Sequence, residues 1–231
     1  MSESQDKKVD IEALRAAARD VVAAGKDIQQ EVHKLTLTAL REGGLEKERV
    51  KQIVQSVLEG AREGAERHGE HLKSALSEAV SGLDTALVKT ASATKLAIEE
   101  AAGHLREFTD HDIKRALNDL EGLEATLIDV VSDVAKGSSD LAGRILQDLA
   151  SHARHSGTAV GRQVQESLSH LSEQWRTTGR DSVIAGADAA KSVSVKIARA
   201  ASGFLAGLAD TLESLGKQDR GGKNTGAKPE E

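Results

Sequence analysis

Residues 50–105 read VKQIVQSVLEG AREGAERHGEH LKSALSEAVSG LDTALVKTASA TKLAIEEAAGH L when broken every eleven positions. The break exposes three small or apolar columns. One holds Val50, Ala61, Leu72, Leu83, Thr94 and Leu105; a second holds Val54, Ala65, Leu76, Leu87 and Ile98; a third holds Val57, His68, Ala79, Thr90 and Ala101. Eleven residues in three turns is about 3.67 per turn, so such a stripe runs almost straight along a helix, where a heptad stripe supercoils left-handedly. The columns predict one amphipathic helix over 45–107, roughly 60 residues and ~90 Å long at ~1.5 Å per residue.

Working outward, Met1 to Asp10 is polar and lacks an apolar signal-peptide core, and 1–9 is expected to be a disordered leader. Two short amphipathic helices are expected within 10–44. Asp10 is the candidate N-cap of the first, with Ile11, Leu14, Ala18 and Val21 on one face and Gly25 as its stop. The second carries Ile28, Val32, Leu35, Ala39 and Leu40 and ends at Gly43-Gly44. Beyond the long helix, Phe108 to Asp112 supplies capping side chains and predicts a reversal or sharp break. The eleven-residue period then resumes over 111–216, as one long helix or a chain of helices. Weak points fall near 137, 157 and 179, at Gly137-Ser138-Ser139, Ser156-Gly157-Thr158 and Thr177-Thr178-Gly179. Because the phase survives all three, they read as joints in a continuing helix. The segment 217–231 has almost nothing apolar to bury and is expected to be a disordered tail.

Composition narrows the class. Aromatics make up 1% of the 231 residues, as Trp175, Phe108 and Phe204, and cysteine is absent. Without aromatic area, the stripe closes through Leu, Val, Ile and Ala, which favours thin helix-on-helix layers. The expected fold is therefore all-α: an elongated hairpin of long helices, or a thin helical bundle with hendecad periodicity. Absent thiols remove disulfides and Cys-ligated metals. The net charge of -6, in mixed signs, argues against nucleic acid as a partner. No stretch approaches the ~20 apolar residues of a transmembrane helix, and a cytoplasmic location is the expectation.

Helix-interior glycines at 60, 64, 69, 82 and 103 each cost roughly 1 kcal/mol relative to alanine, so the stripe needs burial to offset them. The flanking row Lys51, Arg62, Lys73, Asp84, Lys95, Arg106 is basic apart from Asp84. Basic edges beside an apolar face let long alkyl stems lie on apolar surface while their charges stay hydrated, which suits a lipid or polymer boundary and equally an ordinary helix seam. The Gly60/Gly64, Gly157/Gly161 and Gly203/Gly207 spacings permit close helix approach. The segment Val193 to Leu215, with Ile197, Phe204, Leu208 and Leu212 on one face, is the strongest anchor candidate.

The eleven-residue stripe, small side chains, scarce aromatics and near absence of proline resemble the amphipathic repeats of apolipoproteins, perilipins and synucleins. The alanine-rich, cysteine-free character is similar to that of phasins, which coat bacterial polyester granules. The stretch Leu35 to Gly64, LTLTALREGGLEKERVKQIVQSVLEGAREG, resembles an uncharacterised family of bacterial helical proteins without assigned activity. These resemblances imply a coat or scaffold role and transfer no binding residues. The tail lacks the Ala/Lys/Pro-rich run of a phasin, and the N-terminus lacks the secretion signal of an apolipoprotein.

No phosphate loop, activated nucleophile or carboxylate pair marks a catalytic centre, and no cofactor is expected. The pairs His68/His71 and His152/His155 each lie one turn apart. A single reversal near Thr109 would bring all four to one level, within reach of a zinc-like ion, although His155 shares its row with Arg144 and Glu166. No metal ligands are assigned. The expected face, against an apolar boundary or a packing partner, comprises Val50, Val54, Val57, Leu72, Leu76, Leu83, Leu87, Ile98, Leu105, Leu120, Leu127, Val131, Leu149, Val160, Leu171, Ile197, Phe204, Leu208 and Leu212. The leading expectation is a non-enzymatic coat on a storage granule or membrane surface. The alternative is a self-associating bundle, structural or adaptor, and a third is a stress-protective protein that folds conditionally. The partner is thus a lipid or polymer surface, or a second copy of the chain.

Overall fold

A computed structural model of the chain describes residues 9–103, 110–138, 140–177 and Ala201. Among them are seven α-helices: α1 Ile11–Ala24, α2 Ile28–Gly43, α3 Lys47–Ala65, α4 Leu72–Gly103, α5 Asp110–Lys136, α6 Asp140–Ser156 and α7 Ala159–Thr177. The fold is all-α. The first two helices start and stop where their residue types demand. Asp10 Oδ1 accepts from the Glu12 and Ala13 amides at 3.1 Å, and Gly25 closes α1 in the left-handed region.

The expected single helix over 45–107 is instead two. A 3-10 segment, Glu66–His71, separates α3 from α4, and Gly69 within it has φ 53° and ψ -113°, outside any helical region. A residue with a Cβ is strained there, so glycine at this position lets the chain turn. The turn is a reversal, as the neighbours show. Along α1 and α3 the contacts advance together: the Ser56 hydroxyl donates to the Ile11 carbonyl, Arg15 pairs with Glu59 and Glu63, and the His68 ring meets the Val22 carbonyl. These two helices therefore run parallel. The N-terminal part of α2 lies on α4, with Gly82 against the Gln29 carbonyl and Val32, while Gly43 at its far end returns to Val9 and Ile53. The order α1 to α4 is thus up, down, up, down.

The second half repeats the pattern with one exception. Asp84 of α4 and Glu124 of α5 reach the same point, residues 158–160, so α5 runs back along α4. The connection itself, 104–109, where a reversal was expected, lies outside the described residues. Between α5 and α6 the chain reverses again, contrary to the expected joint in a continuing helix, because Arg154 of α6 donates to Ser132 and Thr158 meets Glu124. At Gly157, φ 73°, the helix breaks but keeps its direction: α7 follows α4 from Asp84 beside Val160 to Glu99 beside His170. The weak point near 179 lies outside the described residues.

Helix α4 is the shared wall, contacting α2, α3, α5, α6 and α7. A helix with neighbours on several sides needs short side chains, and α4 buries Ala75, Ala79, Ala86, Ala91, Ala93, Ala97 and Ala101 among its leucines. Three core hydroxyls are satisfied within their own helix: Thr36 donates to the Val32 carbonyl, Thr90 to Ala86 and Ser132 to Ile128. Threonine can therefore occupy an apolar column without leaving a buried donor unpaired.

Candidate functional site

The face expected to be apolar is directed inward. Val50, Val54, Val57, Leu72, Leu76, Leu83, Leu87, Ile98, Leu120, Leu127, Val131, Val160 and Leu171 are all buried in one core, and Leu149 packs against it half-buried. Leu105, Ile197, Phe204, Leu208 and Leu212 lie outside the described residues, although Ala201 is fully buried and belongs to the same core. The four histidines do not meet. His68 Nε2 sits 2.6 Å from the Val22 carbonyl at the α1 terminus, and His155 Nδ1 lies 2.8 Å from the Ser151 carbonyl of its own helix. The reversal at 66–71 accounts for this separation, because it adds a direction change that a single hairpin at 109 does not have. Among the described residues no three His, Cys, Asp or Glu side chains are grouped to hold a metal ion.

One concavity lies at the α6–α7 joint. A cleft of about 270 Å³ opens between α4, α5, α6 and the start of α7. Its walls include Val80 of α4, Leu127, Ile128 and Val131 of α5, and Leu149 of α6; its polar lining comprises Ser77, Ser81, Asp84, His152, Thr158 and Arg162. The joint is held by carboxylates from two other helices. Asp84 Oδ2 accepts from the Ala159 amide at 2.9 Å and Oδ1 from the Val160 amide at 2.8 Å. Glu124 Oε1 accepts from the Thr158 amide at 3.0 Å and from its hydroxyl at 2.8 Å, while Thr158 Oγ1 accepts from the Gly161 amide at 2.9 Å. The first amides of α7 have no helical partners of their own, and a negative charge at that end also meets the positive end of the helix dipole. A Cβ at Gly161 would meet the Glu124 carboxylate, which would then have to swing away from Thr158.

Two parts of this site have separate signals in the sequence. Asp84 is the one acid in the flanking basic row, and Ser156-Gly157-Thr158 is a flagged weak point. Nothing in the spacing connects them, because residues 75 or 76 apart in the chain meet only through the two reversals.

A second, more polar depression, between α2 and α4, is lined by Asp27, Gln29, Gln30, His33, Glu78 and Thr85. Burial, reinforced by Lys89 and Lys34, pushes the His33 pKa down. The neutral ring is therefore favoured there.

A family model aligns with residues 4–214, nearly the whole chain. The chain belongs to DUF6781. That family is described as one of unknown function, so membership fixes a lineage without a chemistry. Neither the curated proteins nor the solved structures contain a match to this DUF6781 chain. No described helix is long and apolar enough to cross a membrane.

Proposed function

We propose that this DUF6781 protein is a non-enzymatic helical bundle that works as a structural or adaptor module, its stripes serving as internal seams. The observation that carries the reading is burial: the columns that a coat would turn towards an apolar surface lie in the protein's own core, with Val54, Val57, Leu76, Leu83, Leu87, Ile98 and Leu120 at 0% exposure. The carboxylates nearest the cleft are engaged in capping α7, which supports a structural use for them. On this reading the protein is cytoplasmic, and its partner is a second copy or another protein meeting its charged exterior.

A second reading, adsorption to a lipid or polymer surface, is supported by one specific feature. Two of the breaks, at Gly69 and Gly157, rest on single glycines with positive φ, where helices can swing apart and turn the stripe outward. The experiment is a thermal melt by far-UV circular dichroism, alone and with anionic vesicles or an apolar emulsion. A cooperative melt unchanged by the apolar phase supports the internal-seam reading. Loss of the cooperative transition together with co-flotation of the protein overturns it in favour of adsorption. Light scattering on the same sample reports self-association.

A further inference from the structure

We propose that the cleft at the α6–α7 joint binds one single-chain amphiphile with an anionic head, of the class of medium-chain fatty acids. The proposal goes beyond the structural reading and does not depend on it. The floor is apolar, formed by Val80, Leu127, Val131 and Leu149 around about 270 Å³. Side chains facing a void forgo the dispersion contacts that a close-packed interior makes, so an apolar guest restores them. The volume lies just below the ~300–1,000 Å³ usual for drug-sized ligands, which favours a narrow chain over a ring system.

The mouth selects the head group. Both Asp84 oxygens accept backbone amides, and the donors of Thr158 are taken up by Glu124. Among the described residues, neither the Arg162 guanidinium nor the His152 ring has a partner, and both are exposed at the rim. An apolar slot whose uncommitted charged or titratable rim groups are an arginine and an imidazole, beside the Ser77 and Ser81 hydroxyls, complements a carboxylate on an alkyl tail. A guanidinium pairs with a carboxylate through two parallel N–H donors, an arrangement that no cationic or neutral head reproduces.

The test uses full-length protein and decanoate below its micelle-forming concentration, followed by isothermal titration and thermal melting. The wild type is expected to bind saturably near one equivalent and to melt at a higher temperature with decanoate. Arg162→Glu alters an exposed side chain, keeps the circular dichroism spectrum, and is expected to weaken binding about ten-fold or more, as befits a charge-assisted hydrogen bond replaced by repulsion. Val131→Phe fills the floor and is expected to abolish binding; if that variant does not fold, Arg162→Glu decides alone. Decyltrimethylammonium is expected not to compete. Absence of saturable decanoate binding, unchanged affinity in Arg162→Glu, or equal binding of the cationic amphiphile each overturns the proposal.

Discussion

The α1–α3 seam and the cleft beside α7 are built from the same kind of stripe and packed in opposite ways. In the seam, Gly60 and Gly64 bring α3 onto the backbone of α1, so that a Cβ at either would overlap the Arg15 or the Arg19 carbonyl. The flanks are tied by Arg15 between Glu59 and Glu63, a pairing in which the Glu63 hydrogen bond raises the Arg15 pKa. At the cleft, valine and leucine line the space between helices, and the Asp84 and Glu124 carboxylates reach across to hold the α6–α7 joint. Small residues close a seam by backbone approach. Larger ones leave a space that polar side chains must bridge.

Replacing glycine tests that difference most severely. Gly60→Ala places a methyl group where the Arg15 carbonyl already sits, and overpacking against backbone is expected to cost about 3 kcal/mol in chemical denaturation. Gly122→Ala in α5 is the matched control, because the nearest atom to its Cβ is Lys47 Cε at 3.8 Å. It is expected to gain about 1 kcal/mol from helix propensity alone. Equal effects in the two variants would dissolve the distinction between a backbone-tight and a side-chain-spaced seam.

The next effect belongs to the joint. Asp84→Ala leaves the Ala159 and Val160 amides without their acceptor and is expected to cost about 2 kcal/mol, read as a lower denaturation midpoint. Hydrogen exchange at residues 158–161 is expected to speed up more than exchange in α1. If the two regions loosen together, the joint is not an independent unit.

The smallest effect concerns Asp119, on the α5 side facing α3. Burial raises its pKa, while Arg115 and Lys47 pull it back down. A raised folded-state pKa means that the folded chain holds the proton more tightly than the unfolded chain, so stability falls as pH rises through the folded pKa. Asp119→Asn is therefore expected to melt at a slightly higher temperature at pH 7. That advantage should vanish below the unfolded value of 3.8. An advantage independent of pH would assign it to packing instead.

Much of the fold is legible in the residues, and what is not has a definable cause. Asp10, Gly25 and Gly43-Gly44 mark the ends of α1 and α2 because capping and left-handed backbone are local demands. The inward face of α3 and α4 follows from the columns. The reversals at 66–71 and between α5 and α6 are hidden because an eleven-residue phase counts turns, not direction. A six-residue 3-10 segment fits between Ala65 and Leu72 and leaves the columns in register as the chain doubles back. The cleft is legible only in pieces, with Asp84 out of character in a basic row and Gly157 at a weak point, since their meeting is set by topology.

The parallel alignment of α1 with α3 joins residues 44 to 48 positions apart. As the chain leaves the ribosome, Leu14, Ala18 and Val22 therefore wait for residues up to His68 before that seam can close. α2 can fold back on α1 sooner, but α1 gains its closest companion only after the entire α3 helix has been made. An N-terminal fragment ending before Gly60 is thus expected to expose this seam to chaperones, whereas one extending past Gly69 can begin to bury it.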